Sequence, residues 1–88
     1  MNFEFDPKKA LANLHKHSVA FAEIEPVFYD DFALTREDGD AVGEARFVTV
    51  GIDALGRIVA VCWTQRGTNI RLISARLASP SERKSYEN

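Results

Sequence analysis

From Arg46 to Arg76 the chain runs as three strand-length apolar segments separated only by short turns. The segments are about Arg46–Asp53, Arg57–Gln65 and Asn69–Arg76, with Gly56 and Gly67 at the turns. Val and Ile recur through them and Trp63 joins them, as suits a pleated, half-buried surface. Turns this short admit only hairpins, so the segments form an antiparallel meander and whatever precedes them must cover one of its faces.

Upstream, Phe3-Glu4-Phe5 alternates like a short strand. Asp6-Pro7 reads as an N-cap followed by proline in the first turn, and Ala10, Leu11 and Leu14 then recur at helical spacing to about His17-Ser18. A second, shorter helix is predicted from about Ala20 to Phe28, with Phe21, Ile24 and Phe28 on one side and Pro26 kinking or shortening it. Tyr29 to Gly43 is acidic and irregular, with room for a short strand at Ala33-Leu34-Thr35. It lacks the glycine and glutamate positions of a calcium loop. Ser79-Pro80-Ser81-Glu82 is a capping box that opens a last helix. The predicted order is β-α-α-β-β-β-α in a single domain, residues 1–88. This is an α+β fold with the two amino-terminal helices on one face of an antiparallel sheet.

Two-residue turns centred on Ala54-Leu55 and Arg66-Gly67 would set Val50 opposite Val59, Val48 opposite Val61, and Arg57 opposite Arg76. The Val-rich face, with Leu11, Leu14, Phe21 and Ile24 over it, is then the expected core. Phe47, Thr49, Ala60, Cys62, Thr64 and Arg71 make up the other face. Arg71 and Arg76 are an odd number of residues apart, so a bulge, or a reach round the strand end, must re-aim Arg76.

The charge is uneven. Residues 1–56 carry 5 basic and 11 acidic side chains (−6), and residues 57–88 carry 6 basic and 2 acidic (+4), for a net −2. Three arginines, Arg66, Arg71 and Arg76, lie in and beside one strand. A guanidinium fork matches phosphate oxygens, so this cluster points to an anion such as an RNA backbone. The plain alternative is a set of arginines paired with nearby acids. The single Cys62 precludes an internal disulfide and a cysteine-rich zinc site. No apolar run approaches the roughly 20 residues of a membrane span. Met1-Asn2-Phe3-Glu4-Phe5-Asp6 does not resemble a secretory signal, so the expected compartment is the cytoplasm.

Phe3-Glu4-Phe5-Asp6 with Lys8, Asn13, Lys16-His17, Val19, Phe21 and Glu23 resembles the opening of the BrnT family. Glu44, Arg46, Gly56-Arg57, Thr64, Arg66-Gly67, Arg71, Ile73-Ser74-Ala75-Arg76, Glu82-Arg83 and Tyr86 continue the pattern. The family usually has Trp where Phe5 stands and Gly where Ser18 stands. The resemblance implies a RelE-like fold and a metal-independent endoribonuclease toxin with no cofactor. It implies a BrnA-like antitoxin partner with a ribbon-helix-helix domain, and contact with operator DNA only through that partner. On this basis Arg71, Arg76, Arg46 and Tyr86 are expected at the catalytic site. Arg57, Arg66, Arg83, Lys16 and His17 are expected to contact RNA. Capping of a helix end by His17 and a core role for Tyr86 are the structural alternatives. An RNA- or antitoxin-binding module that does not cut is the alternative function.

Overall fold

The structure, a computed structural model, describes residues 1–39 and 43–88; Asp40 of the acidic run lies outside them. The elements are β1 (Asn2–Glu4), α1 (Pro7–His17), 3₁₀ turns at Phe21–Glu23 and Glu25–Tyr29, β2 (Leu34–Glu37), β3 (Arg46–Ile52), β4 (Ile58–Arg66), β5 (Asn69–Leu77) and α2 (Pro80–Glu87). The five strands form one sheet in the order β1-β5-β4-β3-β2. The sheet is mixed, because β1 runs parallel to β5 where an all-antiparallel sheet was expected. The rest is antiparallel.

Asp6 caps α1 by accepting from the Lys8 N–H at 2.9 Å. The helix ends at Ser18, whose φ of 60° is left-handed and whose N–H reaches the Leu14 carbonyl at 2.9 Å. The expected second helix is replaced by the two 3₁₀ turns. Proline at position 26 cannot donate to a carbonyl one α-turn back. Phe21, Ile24 and Val27 are buried at three-residue spacing, the 3₁₀ period. The acidic stretch does contain a strand, β2, and it extends past Thr35 to Glu37.

The first hairpin closes on three residues, not two. Ile52 pairs with Ile58, the Asp53 N–H reaches the Arg57 carbonyl at 2.9 Å, and Gly56 takes a φ of +79°. The extra residue shifts the expected register by one, so Val50 lies opposite Ala60 and Val48 opposite Cys62. Val48 and Val50 therefore leave the helix-covered face, while Phe47 and Thr49 join it. The second hairpin does not turn on Arg66-Gly67 as expected: Arg66 is still in the ladder opposite Asn69, so the two-residue loop is Gly67-Thr68, with Gly67 at φ +59°.

A bulge follows. Trp63 faces Leu72 and Cys62 faces Ser74, which leaves Ile73 as the extra residue on β5. Arg76 consequently lies opposite Ala60, and the expected Arg57–Arg76 opposition does not occur.

Two cores result. Val19, Phe21, Ile24 and Val27 pack on Val59, Val61, Ile70, Leu72 and Ala75. Val48, Val50 and Ala60 lie on the opposite face, with Tyr86 of α2 and Ala78 against them. Leu11 and Leu14, expected in the core, are 58% and 43% exposed. Helix α1 instead buries Asn13, whose amide donates to the carbonyls of Val19 (2.9 Å) and Ala75 (2.8 Å) and accepts the Ala75 N–H (3.0 Å). Past β1 the edge of β5 lacks a partner strand among the described residues, and this amide takes that place.

Candidate functional site

The bulge decides which side chains converge. Thr64 opposes Arg71, Cys62 opposes Ser74 and Ala60 opposes Arg76. Residues 60, 62 and 64 share one face of β4, so Arg71, Ser74 and Arg76 share that face too. Arg46 joins them opposite Thr64, and Arg36 of β2 opposite Val48. Helix α2 roofs only the Val48–Val50–Ala60 end of this face. Beside α2 an open groove of about 570 Å³ is lined by Leu34, Thr35, Arg36, Val50, Arg76, Ser79, Ser81, Glu82 and Ser85.

Carboxylates already hold much of the positive charge. Glu82 accepts from Arg76 Nη1 at 2.6 Å and Nη2 at 3.1 Å, pairs with Arg36 Nη2 at 3.0 Å, and takes the Ser79 N–H at 2.8 Å. The Arg76 fork, with the Ser79 N–H and Arg36 behind it, pulls the Glu82 carboxyl down to about 2. In return Glu82 holds the Arg76 guanidinium above its ordinary value. Arg71 Nη1 meets Glu4 at 3.2 Å, and Asn69 donates to the same carboxylate at 3.0 Å. The Asn69 and Arg71 hydrogen bonds lower the Glu4 pKa. Arg66 reaches Glu44 at 3.6 Å.

Arg46 differs. Its Nε is buried and has no hydrogen-bond partner among the described residues. A buried donor without an acceptor is rare and costly. Cys62 sits among these arginines. Burial, with Asp38 nearby, pushes its thiol up against the opposing pull of Arg46, Arg76 and Arg36.

The remaining expected residues are placed differently. The Tyr86 hydroxyl donates to Asp30 Oδ2 at 2.6 Å, and this bond, with burial, pushes the phenol up to about 12. Burial works to raise the Asp30 carboxyl, but Tyr86 and the N–H groups of Phe32 and Ile52 carry it below its ordinary value. Arg57 lies at the first hairpin. Its Nε and Nη2 reach the buried Asp53 at 2.9 and 2.8 Å, and its Nη1 reaches the Ser18 carbonyl at 2.9 Å. Arg83 is exposed on α2. Lys16 and His17 lie on α1, across the β5 edge from Arg71 and Arg76, in a smaller groove with Ser74. Arg36 was not anticipated, because the expected strand stopped one residue short of it. Among the described residues no three His, Cys, Asp or Glu side chains converge as metal ligands, and no helix is long and apolar enough to cross a membrane.

A family profile described as the ribonuclease toxin BrnT of a type II toxin–antitoxin system matches residues 5–82. The chain belongs to the BrnT family. The fold is also similar to the crystal structure of the Brucella abortus ribonuclease toxin BrnT. The TM-score is 0.70 at 25% identity, over 90% of this chain and 97% of that one. A comparison with curated proteins finds no similar sequence. The BrnT resemblance carried by the motifs is thus established over most of the chain, and the α+β fold is similar to that of a solved BrnT.

Proposed function

We propose that this chain is a metal-independent endoribonuclease toxin of RelE-like build that cleaves RNA on its arginine face. An antitoxin covering that face would silence it. Family membership supports the substrate class. The observation that carries the site is the bulge at Ile73, which turns Arg71, Ser74 and Arg76 onto the face that also holds Arg46.

In such cleavage the 2′-oxygen bonds to the adjacent phosphorus while the bond to the 5′-oxygen breaks. The 2′-hydroxyl loses its proton, the leaving oxygen gains one, and a 2′,3′-cyclic phosphate and a 5′-hydroxyl remain. Negative charge grows on the phosphoryl oxygens, where preorganised guanidinium donors stabilise it. Arg46 adds a guanidinium on the same face, its buried Nε without a hydrogen-bond partner among the described residues. Arg71 supplies donors beyond the single bond to Glu4. The fork of Arg76 is engaged by Glu82, so Arg76 contributes charge and anchors α2 while Arg71 and Arg46 contact the phosphate. Arg66 and Arg83 extend the positive rim. Tyr86 and Arg57 act as struts, since their polar atoms are held by Asp30 and by Asp53 and Ser18.

The antitoxin is proposed to be BrnA-like, with a ribbon-helix-helix domain that alone touches operator DNA, and the pair to act in the cytoplasm. The test is incubation of the partner-free protein with RNA in EDTA. Cleavage is expected. Intact RNA at high protein concentration would instead support a binding module that does not cut.

A further inference from the structure

We infer that the groove between α1 and the free edge of β5 is a second phosphate subsite, holding an RNA backbone phosphate next to the one at the arginine face. The inference rests on the RNA reading above and adds the path of the strand. The groove, about 220 Å³, is lined by Lys9, Ala12, Asn13, Lys16, His17, Ile73 and Ser74. Lys9, Lys16 and His17 are seven and eight residues apart, which stacks them along one side of a helix. No carboxylate lines the groove.

On the open face Arg36, Arg66, Arg71 and Arg76 each meet a carboxylate within 4.0 Å, with Arg46 the exception, while in this groove Lys9 and Lys16 have no ion pair among the described residues. Unpaired cations facing a polar groove attract an anion without first losing an internal partner. The ordinary role of basic residues in a last helical turn is to offset the helix dipole. That role leaves Lys9, two turns earlier, unexplained.

The geometry is fixed in advance. Asn13, between the cations, is locked to Ala75 through both its amide atoms. Arg57 Nη1 holds the carboxyl end of α1 through the Ser18 carbonyl at 2.9 Å. Ser74 belongs both to the groove and, through the bulge, to the face of Arg71 and Arg76. A single strand crossing the β5 edge at Ile73-Ser74 therefore passes from one basic surface to the other.

The probe is a fluorescent 2′-O-methyl RNA oligomer, which keeps the phosphates but lacks the attacking hydroxyl. Its affinity is measured across salt for the wild type, for Lys9→Ala/Lys16→Ala, and for Lys8→Ala as a control on the same helix. Each side chain changed is exposed, and thermal melts verify folding. The double variant should bind more weakly, with its log–log salt slope shallower by about 0.7 for each phosphate no longer neutralised. An unchanged slope in the double variant, or an equal weakening in Lys8→Ala, overturns the subsite. So does a double variant that binds RNA normally but no longer binds the antitoxin, since the groove is then a protein dock. A wild type that shows the Lys9/Lys16-dependent slope yet leaves unmodified RNA intact overturns the nuclease reading and keeps the subsite.

Discussion

Replacing Glu82 by Gln removes the carboxylate that joins α2 to the sheet. Glu82 is held by both Arg76 Nη atoms, by Arg36 and by the Ser79 N–H, and its side chain is only 11% exposed. Its pKa falls from 4.5 to about 2 on folding. At roughly 1.4 kcal/mol per unit, the full shift would correspond to about 3 kcal/mol. The partner guanidiniums are 40% and 54% exposed, so solvent screens the pair and about 1–2 kcal/mol survives. The folded state holds the Glu82 proton less tightly than the unfolded chain. Its stabilisation is therefore complete above about pH 4.5 and drains away as pH falls toward 2. Urea melts of the wild type and Glu82→Gln should differ by about 1–2 kcal/mol at pH 7 and converge near pH 2. Released from their carboxylate, Arg76 and Arg36 should also bind RNA more tightly. Equal stability at pH 7, or a gap that persists unchanged at pH 2, would refute this account of the latch.

Three further outcomes are expected. Ser18→Gly relieves a left-handed φ of 60° and should stabilise the fold by about 0.5 kcal/mol, seen as a Tm rise of roughly 2–4 °C. Asn13→Ala strands the N–H and carbonyl of Ala75 and the carbonyl of Val19, so urea unfolding should lose about 3 kcal/mol, and Asn13→Leu should not restore it. Tyr86→Phe breaks the bond to Asp30 and should cost about 1–2 kcal/mol while single-turnover cleavage stays near normal; a large rate loss in the folded variant would return Tyr86 to the chemistry.

Much of this fold is legible in the sequence because local chemistry decides it. The Asp6 cap and the Ser79–Glu82 capping box form at the expected residues, and Gly56 and Gly67 both lie in turns with positive φ. What was not legible depends on counts of one residue. A three-residue loop at Ala54-Leu55-Gly56 moved Val48 and Val50 across the sheet, because a two-residue and a three-residue turn can end on the same glycine. The bulge at Ile73 could be inferred from the odd spacing of Arg71 and Arg76, but not located, since nothing about isoleucine marks it. Leu11 and Leu14 were read as core because apolar periodicity usually is. The structure turns Asn13 inward because the β5 edge needs a hydrogen-bond partner more than it needs another leucine. The arginine cluster was plain, but its carboxylate partners were not, since Glu4 and Arg71 meet across 67 residues.

The most direct test of the arginine face is single-turnover RNA cleavage by Arg71→Ala and Arg71→Lys, each beside a binding isotherm and a thermal melt. Arg71 is half-buried and shares one carboxylate with Asn69, so the variants should fold. Cleavage should drop about 10²–10³-fold in Arg71→Ala with a far smaller loss of RNA affinity. Lys should rescue poorly, because a point charge cannot reproduce the planar fork. Near-normal cleavage by folded Arg71→Ala would contradict the assignment and leave the arginine strand a structural element.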